Sequence, residues 1–406
     1  MLQHNFKLVY FLDALFFALM TGAGEVYFSA YALRLGHSEL QASLLATVPF
    51  VIGGLLQAVA PIGLAKIKSY RTWAVLCAFS QAVLFLPLVF FQSFLQNNYS
   101  VLFLVVTMYH IFGLTISPAW VTWLSRLIDK EKTALFFSVR NSITSFFMLA
   151  GIVAVGVLLQ YGKLQNIDLK IFQIVFFACF LFRAISTFML FKHPSVEFSD
   201  EKKTFRQVLF LKIPNDFLKK ITSFTVIFKA GVFISAGFFA PYMLKVLKFS
   251  YFEYMIIIAS SFFGRIIFLQ IFRKYFSNVD RRRVYLLSAV GISIIPALWT
   301  LSTSIKYLFI LELLTGIFWG AHELSFFLIV FKEAKDDFKT SFMSYFNFYH
   351  TIAIGIGVGV GVIIFNFLEN QGTPSYVYIT IFLTSSLIRL GSFLLFPSKN
   401  LNLTSK

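Results

Sequence analysis

The 406-residue sequence predicts an all-α integral membrane protein with twelve transmembrane helices in two parallel six-helix halves. Three observations carry that prediction. The chain is 58% hydrophobic and only 13% charged, against about 25% charged in a soluble domain. Apolar runs long enough to span a bilayer recur from one end to the other. Short motifs of the first half also return in the second at a near-constant spacing.

A helix needs about 20 residues to cross the hydrocarbon core. Lipid offers backbone groups no partner, so a spanning segment is a helix or a strand of a closed barrel. Runs this long and continuous exclude the short, alternating strands of a barrel. They lie at 8–33, 42–64, 72–94, 101–125, 141–161, 171–191, 222–244, 252–272, 284–303, 307–330, 340–368 and 376–397. The first is too long for a signal-peptide core and lacks an Ala-x-Ala cleavage site followed by a soluble domain, so it reads as span 1. Spans 1 and 11 exceed the bilayer thickness and imply tilt or extension past the lipid. Span 8 is the weakest because it carries Arg265. Cys77 and Cys179 both lie in apolar runs and read as small packing residues, not a disulfide framework.

Charge sets the orientation. Loops on the N-terminal side carry 25 Lys and Arg, the opposite loops six and the spans four, which accounts for all 35. Short loops rich in Lys and Arg stay in the cytoplasm, so both termini are expected there. The net charge of +17 is therefore mostly a topology signal. No basic helix or aromatic-basic module supports nucleic-acid binding. Abundant Phe, Ile, Lys and Asn fit a low-GC bacterial genome, which places the chain in a bacterial cytoplasmic (inner) membrane. The longest loop divides the chain into an N-terminal bundle (1–191), a cytoplasmic central loop (192–221) and a C-terminal bundle (222–406). Within that loop Phe205, Val208, Leu209 and Leu211 fit a short amphipathic segment at the headgroups, or a plain charged linker.

The two halves read as copies. Tyr109-His-Ile-Phe-Gly113 pairs with Thr315-Gly-Ile-Phe-Trp319, Phe137-Ser-Val-Arg-Asn-Ser142 with Met343-Ser-Tyr-Phe-Asn-Phe348, Gly151 with Gly357, and Arg183 with Arg389. Earlier in each half the spacing lengthens slightly: Ala30-Tyr-Ala-Leu-Arg34 pairs with Pro241-Tyr-Met-Leu-Lys245, and Gly53 with Gly264. Parallel repeats about an axis normal to the membrane are a transporter arrangement.

With these features the chain resembles the major facilitator superfamily over essentially its whole length. That family's loop between helices 2 and 3 carries Gly-x-x-x-Asp-(Arg/Lys)-x-Gly-(Arg/Lys)-(Arg/Lys). The matching segment here is Gly63-Leu-Ala-Lys-Ile-Lys-Ser-Tyr-Arg71. Gly63, Lys68 and Arg71 fit it, while Ile67 replaces the Asp and Tyr70 the second Gly. Span 5 lacks the proline of the family's drug/proton antiporters. The resemblance implies a site lined by helices 1, 4, 7 and 10, and transport by alternating access.

Ionisable residues inside spans are costly and so are candidates for function. Glu25, His110, Lys229, Glu312, His322 and Glu323 are the substrate or coupling candidates. Gly22 and Gly24, just before Glu25, permit close helix approach or a local break. Lys229 either snorkels to the headgroups or attracts an anion or a carboxylate. His110 either titrates near neutrality or packs as a neutral ring. His322 and Glu323 are adjacent, so their side chains diverge by about 100°. One faces a cavity and the other packs toward span 11, near Asn347 and His350. A desolvated Glu323 would hold a proton, which suits proton coupling. The pair also suggests a zinc helix, but Phe326 stands where the second His is required.

Gate or structural candidates are Asp13, Lys68, Arg71, Arg140, Asn141, Arg183, Arg265, Asn347, His350 and Arg389. Asp13 either reaches the headgroups or serves function. Arg140 and Asn141 read as gate or loop anchors at the start of span 5. Arg183 and Arg389 read as ties from a helix end to a loop carboxylate or lipid. Gly355-Ile-Gly-Val-Gly-Val-Gly361 suits close packing or bending of span 11, and no phosphate loop is present.

The expected function is secondary active transport of a small organic molecule, proton-coupled, by a monomer without cofactor, metal or catalytic residues. A membrane enzyme would gather its polar groups at one level, whereas these are spread over many helices. A non-transporting receptor or scaffold of the same fold is the other alternative. The orientation is testable by labelling. With Cys77 and Cys179 replaced, a cysteine at Ser195 should react only with reagents admitted to the cytoplasm, and one at Asn98 from outside. The reverse pattern would overturn the charge argument.

Overall fold

The computed structural model describes residues 4–57, 60–128, 130–196, 213, 215–275, 280–333 and 336–397. Residues Phe205, Val208, Leu209 and Leu211 of the central loop lie outside that set. The described chain divides into two compact units, Met1–Lys202 with Phe249–Met255, and Lys203–Lys248 with Ile256–Lys406.

In the first unit, α1 (His4–Ala23) stops at Gly24. A 3-10 turn over Glu25–Tyr27 then leads into α2 (Phe28–Arg34). Helix α3 (Glu39–Leu56) starts at a capping box, in which Ser38 and Gln41 satisfy each other's backbone N–H. After α4 (Ala60–Ile67), the third apolar run is broken into α5 (Tyr70–Val83), α6 (Phe85–Phe90) and α7 (Gln92–Asn97). Three long helices complete the unit: α8 (Tyr99–Leu127), α9 (Lys130–Leu164) and α10 (Asp168–Phe191).

The second unit begins with α11 (Asp216–Ala236), whose first N–H groups are capped by Asn215. The short α12 (Phe239–Pro241) and a π turn (Tyr242–Val246) extend it. Then follow α13 (Tyr251–Tyr275), α14 (Arg281–Leu298), α15 (Ile305–Glu333), α16 (Asp336–Leu368) and α17 (Pro374–Gly391). Among the described residues, eleven helical segments are long and apolar enough to cross a membrane. The ninth predicted span corresponds to α14, an 18-residue helix that opens with Arg281, Arg282 and Arg283. Those arginines make it less apolar than the other eleven.

Helix contacts follow the same plan in each unit. Helix α1 packs on α9 and α10, as α11 packs on α16 and α17. Glycine makes these approaches possible, because lipid gives helices no hydrophobic reason to associate and close packing must supply it. A methyl group on Gly22 would lie 2.1 Å from the Met148 carbonyl oxygen, and one on Gly151 3.0 Å from that of Leu19. In the second unit a methyl on Gly357 would lie 2.1 Å from the Ala230 oxygen and one on Gly361 2.3 Å from that of Ile234. The sequence-matched Gly53 and Gly264 likewise abut α8 at His110 and α15 at Leu313. The glycine-rich stretch of α16 thus serves packing, and the helix runs through it unbroken.

Gly357→Val should therefore destabilise the protein by about 2 kcal/mol or more, through forced separation of α11 and α16. Gly359→Ala should leave the melting temperature unchanged, since nothing lies within 4 Å of its added carbon. Thermal unfolding in detergent distinguishes the two.

Candidate functional site

The first unit holds its interior charges in two groups. In the middle of α1, Asp13 is 3% exposed. Its Oδ1 accepts from Ser186 Oγ at 2.8 Å, and that hydroxyl accepts from Arg183 Nη1 at 3.0 Å. Its Oδ2 accepts from Arg140 Nη2 at 3.5 Å. Arg140 also lies 4.1 Å over the Trp120 ring, and Arg183 5.0 Å over Phe17. Asp13 is thus an internal counter-ion and does not reach the headgroups. Arg140 lies well inside α9 instead of at a helix start. Asn141, beside it, is exposed, and its carbonyl accepts from Thr144 Oγ1.

The second group surrounds the break after α1. Tyr109 Oη donates to Glu25 Oε2 at 3.1 Å. His110 is buried among Phe28, Phe50 and Tyr109. Farther along, Arg34 makes a bidentate pair with Asp168, with Nη2 to Oδ1 at 2.9 Å. Sequence reasoning missed this pair, whose members are 134 residues apart.

Beyond α10, His193 is 1% exposed and stacks on Tyr10 at 4.1 Å. Burial pushes its imidazole down to about 4, and neighbouring Arg140 lowers it further while Asp13 opposes. It is neutral at physiological pH. Its carbonyl accepts from Arg71 Nη1 at 3.5 Å, so the Gly63–Arg71 segment is anchored to the end of α10. Lys68, in that segment, is exposed and adopts a left-handed φ of 57°.

In the second unit the adjacent His322 and Glu323 diverge as helix geometry requires, and Glu323 meets an arginine. His322, 2% exposed, stacks on Tyr285 of α14 at 4.3 Å and on Phe228 of α11 at 5.1 Å. Its ring contacts are made to those helices and to Trp319 of its own helix. Asn347 is exposed, and His350 stacks on Phe346 at 5.4 Å. Glu323 is not enclosed by protein. Its side chain is 51% exposed and pairs with Arg265 at 2.7 Å. The correction has a simple cause: α13 packs against α15 through Gly264 and Gly316, and that contact presents Arg265 to the face carrying Glu323.

Lys229 of α11 lies 4.1 Å over the Trp319 ring. Glu312 accepts from Trp299 Nε1 at 3.1 Å. Arg389 is 4% exposed and donates to the carbonyls of Ile292 (2.8 Å) and Val232 (3.3 Å) and to Ser235 Oγ (2.9 Å). Arg183 and Arg389 therefore both tie transmembrane helices together from within, and neither reaches a loop carboxylate or lipid. Tyr109, Ser186, Trp299 and Trp319 were not singled out from the sequence, because aromatic and hydroxyl residues are common in every span.

A bundle of membrane-spanning helices with ionisable side chains held among them is the architecture of a secondary transporter. The chain belongs to the Major Facilitator Superfamily, whose model matches residues 8–398. It is similar in fold to a mutant of the nucleoside transporter NupG, with a TM-score of 0.75, 14% identity, and 96% of this chain and 99% of that one covered. It is also similar to a bacterial homologue of the iron transporter ferroportin in the inward-facing state, with a TM-score of 0.69, 15% identity, and 95% and 98% covered. A POT family transporter in complex with 5-aminolevulinic acid gives a TM-score of 0.69, 12% identity, and 97% and 96% covered. No curated protein sequence matches.

The Asp13 network makes a stability prediction. Asp13→Asn should destabilise by roughly 3 kcal/mol, because it leaves buried guanidinium groups without their counter-charge. Combining it with Arg140→Gln should recover part of the loss in a double-mutant cycle read by thermal unfolding.

Proposed function

We propose that the protein is a proton-coupled secondary transporter of a small organic molecule, working as a monomer by alternating access in a bacterial cytoplasmic membrane. In this reading twelve spans form two six-helix halves, 1–191 and 222–406, joined by a cytoplasmic loop over 192–221, with both termini in the cytoplasm. Glu25, His110, Lys229, Glu312 and His322 are the remaining candidates for substrate contact or coupling.

The observation that carries the coupling is the Arg265–Glu323 ion pair. It links α13 to α15 at 2.7 Å, and its carboxylate is half-exposed. A half-exposed carboxylate can exchange its proton. Protonation removes the negative charge, frees the guanidinium, and loosens the tie between the two helices. That change in charge and in helix linkage is the physical part a coupled cycle needs. The solutes named for the similar structures, a nucleoside and 5-aminolevulinic acid, support a small organic substrate.

Glu323→Gln mimics the protonated state and cannot titrate. In reconstituted vesicles it should retain substrate counterflow and lose accumulation driven by a pH gradient. Full pH-driven accumulation in this variant would remove Glu323 as the proton carrier and leave Glu25 and Glu312 to be tested.

A further inference from the structure

We propose that the junction of α5 with α10 binds the phosphate of an anionic phospholipid, held by Arg71 and Lys192, with its acyl chains along Phe188 and Phe191. The site lies wholly within the first unit and does not rest on the transport reading above.

A membrane span lies on each side of this junction. Helix α5 opens the span Tyr70–Phe90, and α10 closes the span Asp168–Phe191. The two helices pack together. Their ends meet, because Arg71 Nη1 donates to the His193 carbonyl at 3.5 Å and the hydroxyls of Ser69 and Ser195 lie 3.4 Å apart. The junction therefore stands where a lipid changes from acyl chain to headgroup.

The outer face of α10 is apolar here. Phe188 and Phe191, neighbours on one helix face, are 53% and 57% exposed. On a membrane-spanning helix such rings face lipid. A cation sits over each. Lys192 Nζ lies 4.5 Å from the centre of the Phe188 ring, and the Arg71 guanidinium 5.4 Å from that of Phe191. A side chain leans toward the N-terminus of its helix, so Lys192 lies back over the span. A ring face attracts a cation without neutralising it. Among the described residues, the Arg71 side chain has one hydrogen-bond acceptor, the His193 carbonyl, and the Lys192 ammonium has none. Residues 60–73 and 185–196 include no Asp or Glu. The next carboxylate along the chain, Glu197, lies outside the described residues.

Two cations above a lipid-facing aromatic wall fit a phosphodiester. The guanidinium fork matches phosphate oxygens, the ammonium adds a point charge, and the rings receive the chains. A free phosphate would leave the rings without a role. A headgroup ammonium would meet no described carboxylate, so the lipid is an anionic one.

Native mass spectrometry tests the site. Full-length protein in detergent is given equal amounts of dioleoyl phosphatidylglycerol and dioleoyl phosphatidylcholine. It should retain phosphatidylglycerol preferentially. Arg71→Gln and Lys192→Gln should each cut that preference about fivefold, the effect of removing one basic residue at an anionic headgroup. Arg71→Lys and Lys192→Arg should keep it. Lys170→Gln removes the same charge at the opposite end of α10 and should leave it unchanged. Where Arg71→Gln does not purify, Lys192→Gln gives the same comparison. Equal retention of the two lipids by the wild type, or an equal loss in Lys170→Gln, overturns the site. A preference that appears only in Glu197→Gln also overturns it, since that carboxylate would then fill the site in the wild type. Displacement of the lipid by inorganic phosphate at matched concentration overturns the lipid assignment.

Discussion

The crossing of α1 with α9 organises the first unit. Gly22 brings α1 so close to the Met148 carbonyl that no side-chain carbon fits between them. That approach lets Asp13 and Arg140, 127 residues apart in sequence, pair inside the unit. The second unit repeats the crossing with α11 and α16 at Gly357 and Gly361. In lipid, where hydrophobic burial does not drive helices together, such backbone-to-backbone fit is what holds them. Interior charges can then be kept at fixed positions.

The two units use a matched arginine differently. Arg183 reaches a carboxylate through Ser186, so its charge is answered by Asp13. Arg389 lies at the matched position, but among the described residues its hydrogen-bond acceptors are the Val232 carbonyl and Ser235 of α11 and the Ile292 carbonyl of α14. Dipoles satisfy its hydrogen bonds without cancelling its charge. The copies have therefore kept a helix-to-helix tie while diverging in electrostatics.

Adjacent residues on α15 show how local geometry divides roles. His322 is turned into an aromatic stack with Tyr285 and Phe228, and Tyr285 Oη in turn shares a hydrogen bond with Thr225 Oγ1 at 2.6 Å. Glu323, one position on, meets Arg265 on a different helix. One residue reinforces the core of its unit, and the other joins two helices through an ion pair.

Much of the architecture was legible in the sequence because the bilayer imposes it. Unbroken apolar runs dictate helices, and the loop arginines and lysines point to an orientation. The glycine pairs Gly151/Gly357 and Gly53/Gly264 also announced the contacts they make. The break at Gly24 was readable from Gly22 and Gly24. The partners of the interior charges were not. Asp13 with Arg140, Glu25 with Tyr109 and Arg265 with Glu323 depend on which face of one helix meets which face of another, and span periodicity does not encode that choice when every face is apolar. Nor did it reveal that Glu323 is open and paired while His322 is closed in, since sequence places both at the same depth. The amino-acid sequence determined where polar groups enter the membrane, and tertiary packing alone decided which of them are neutralised.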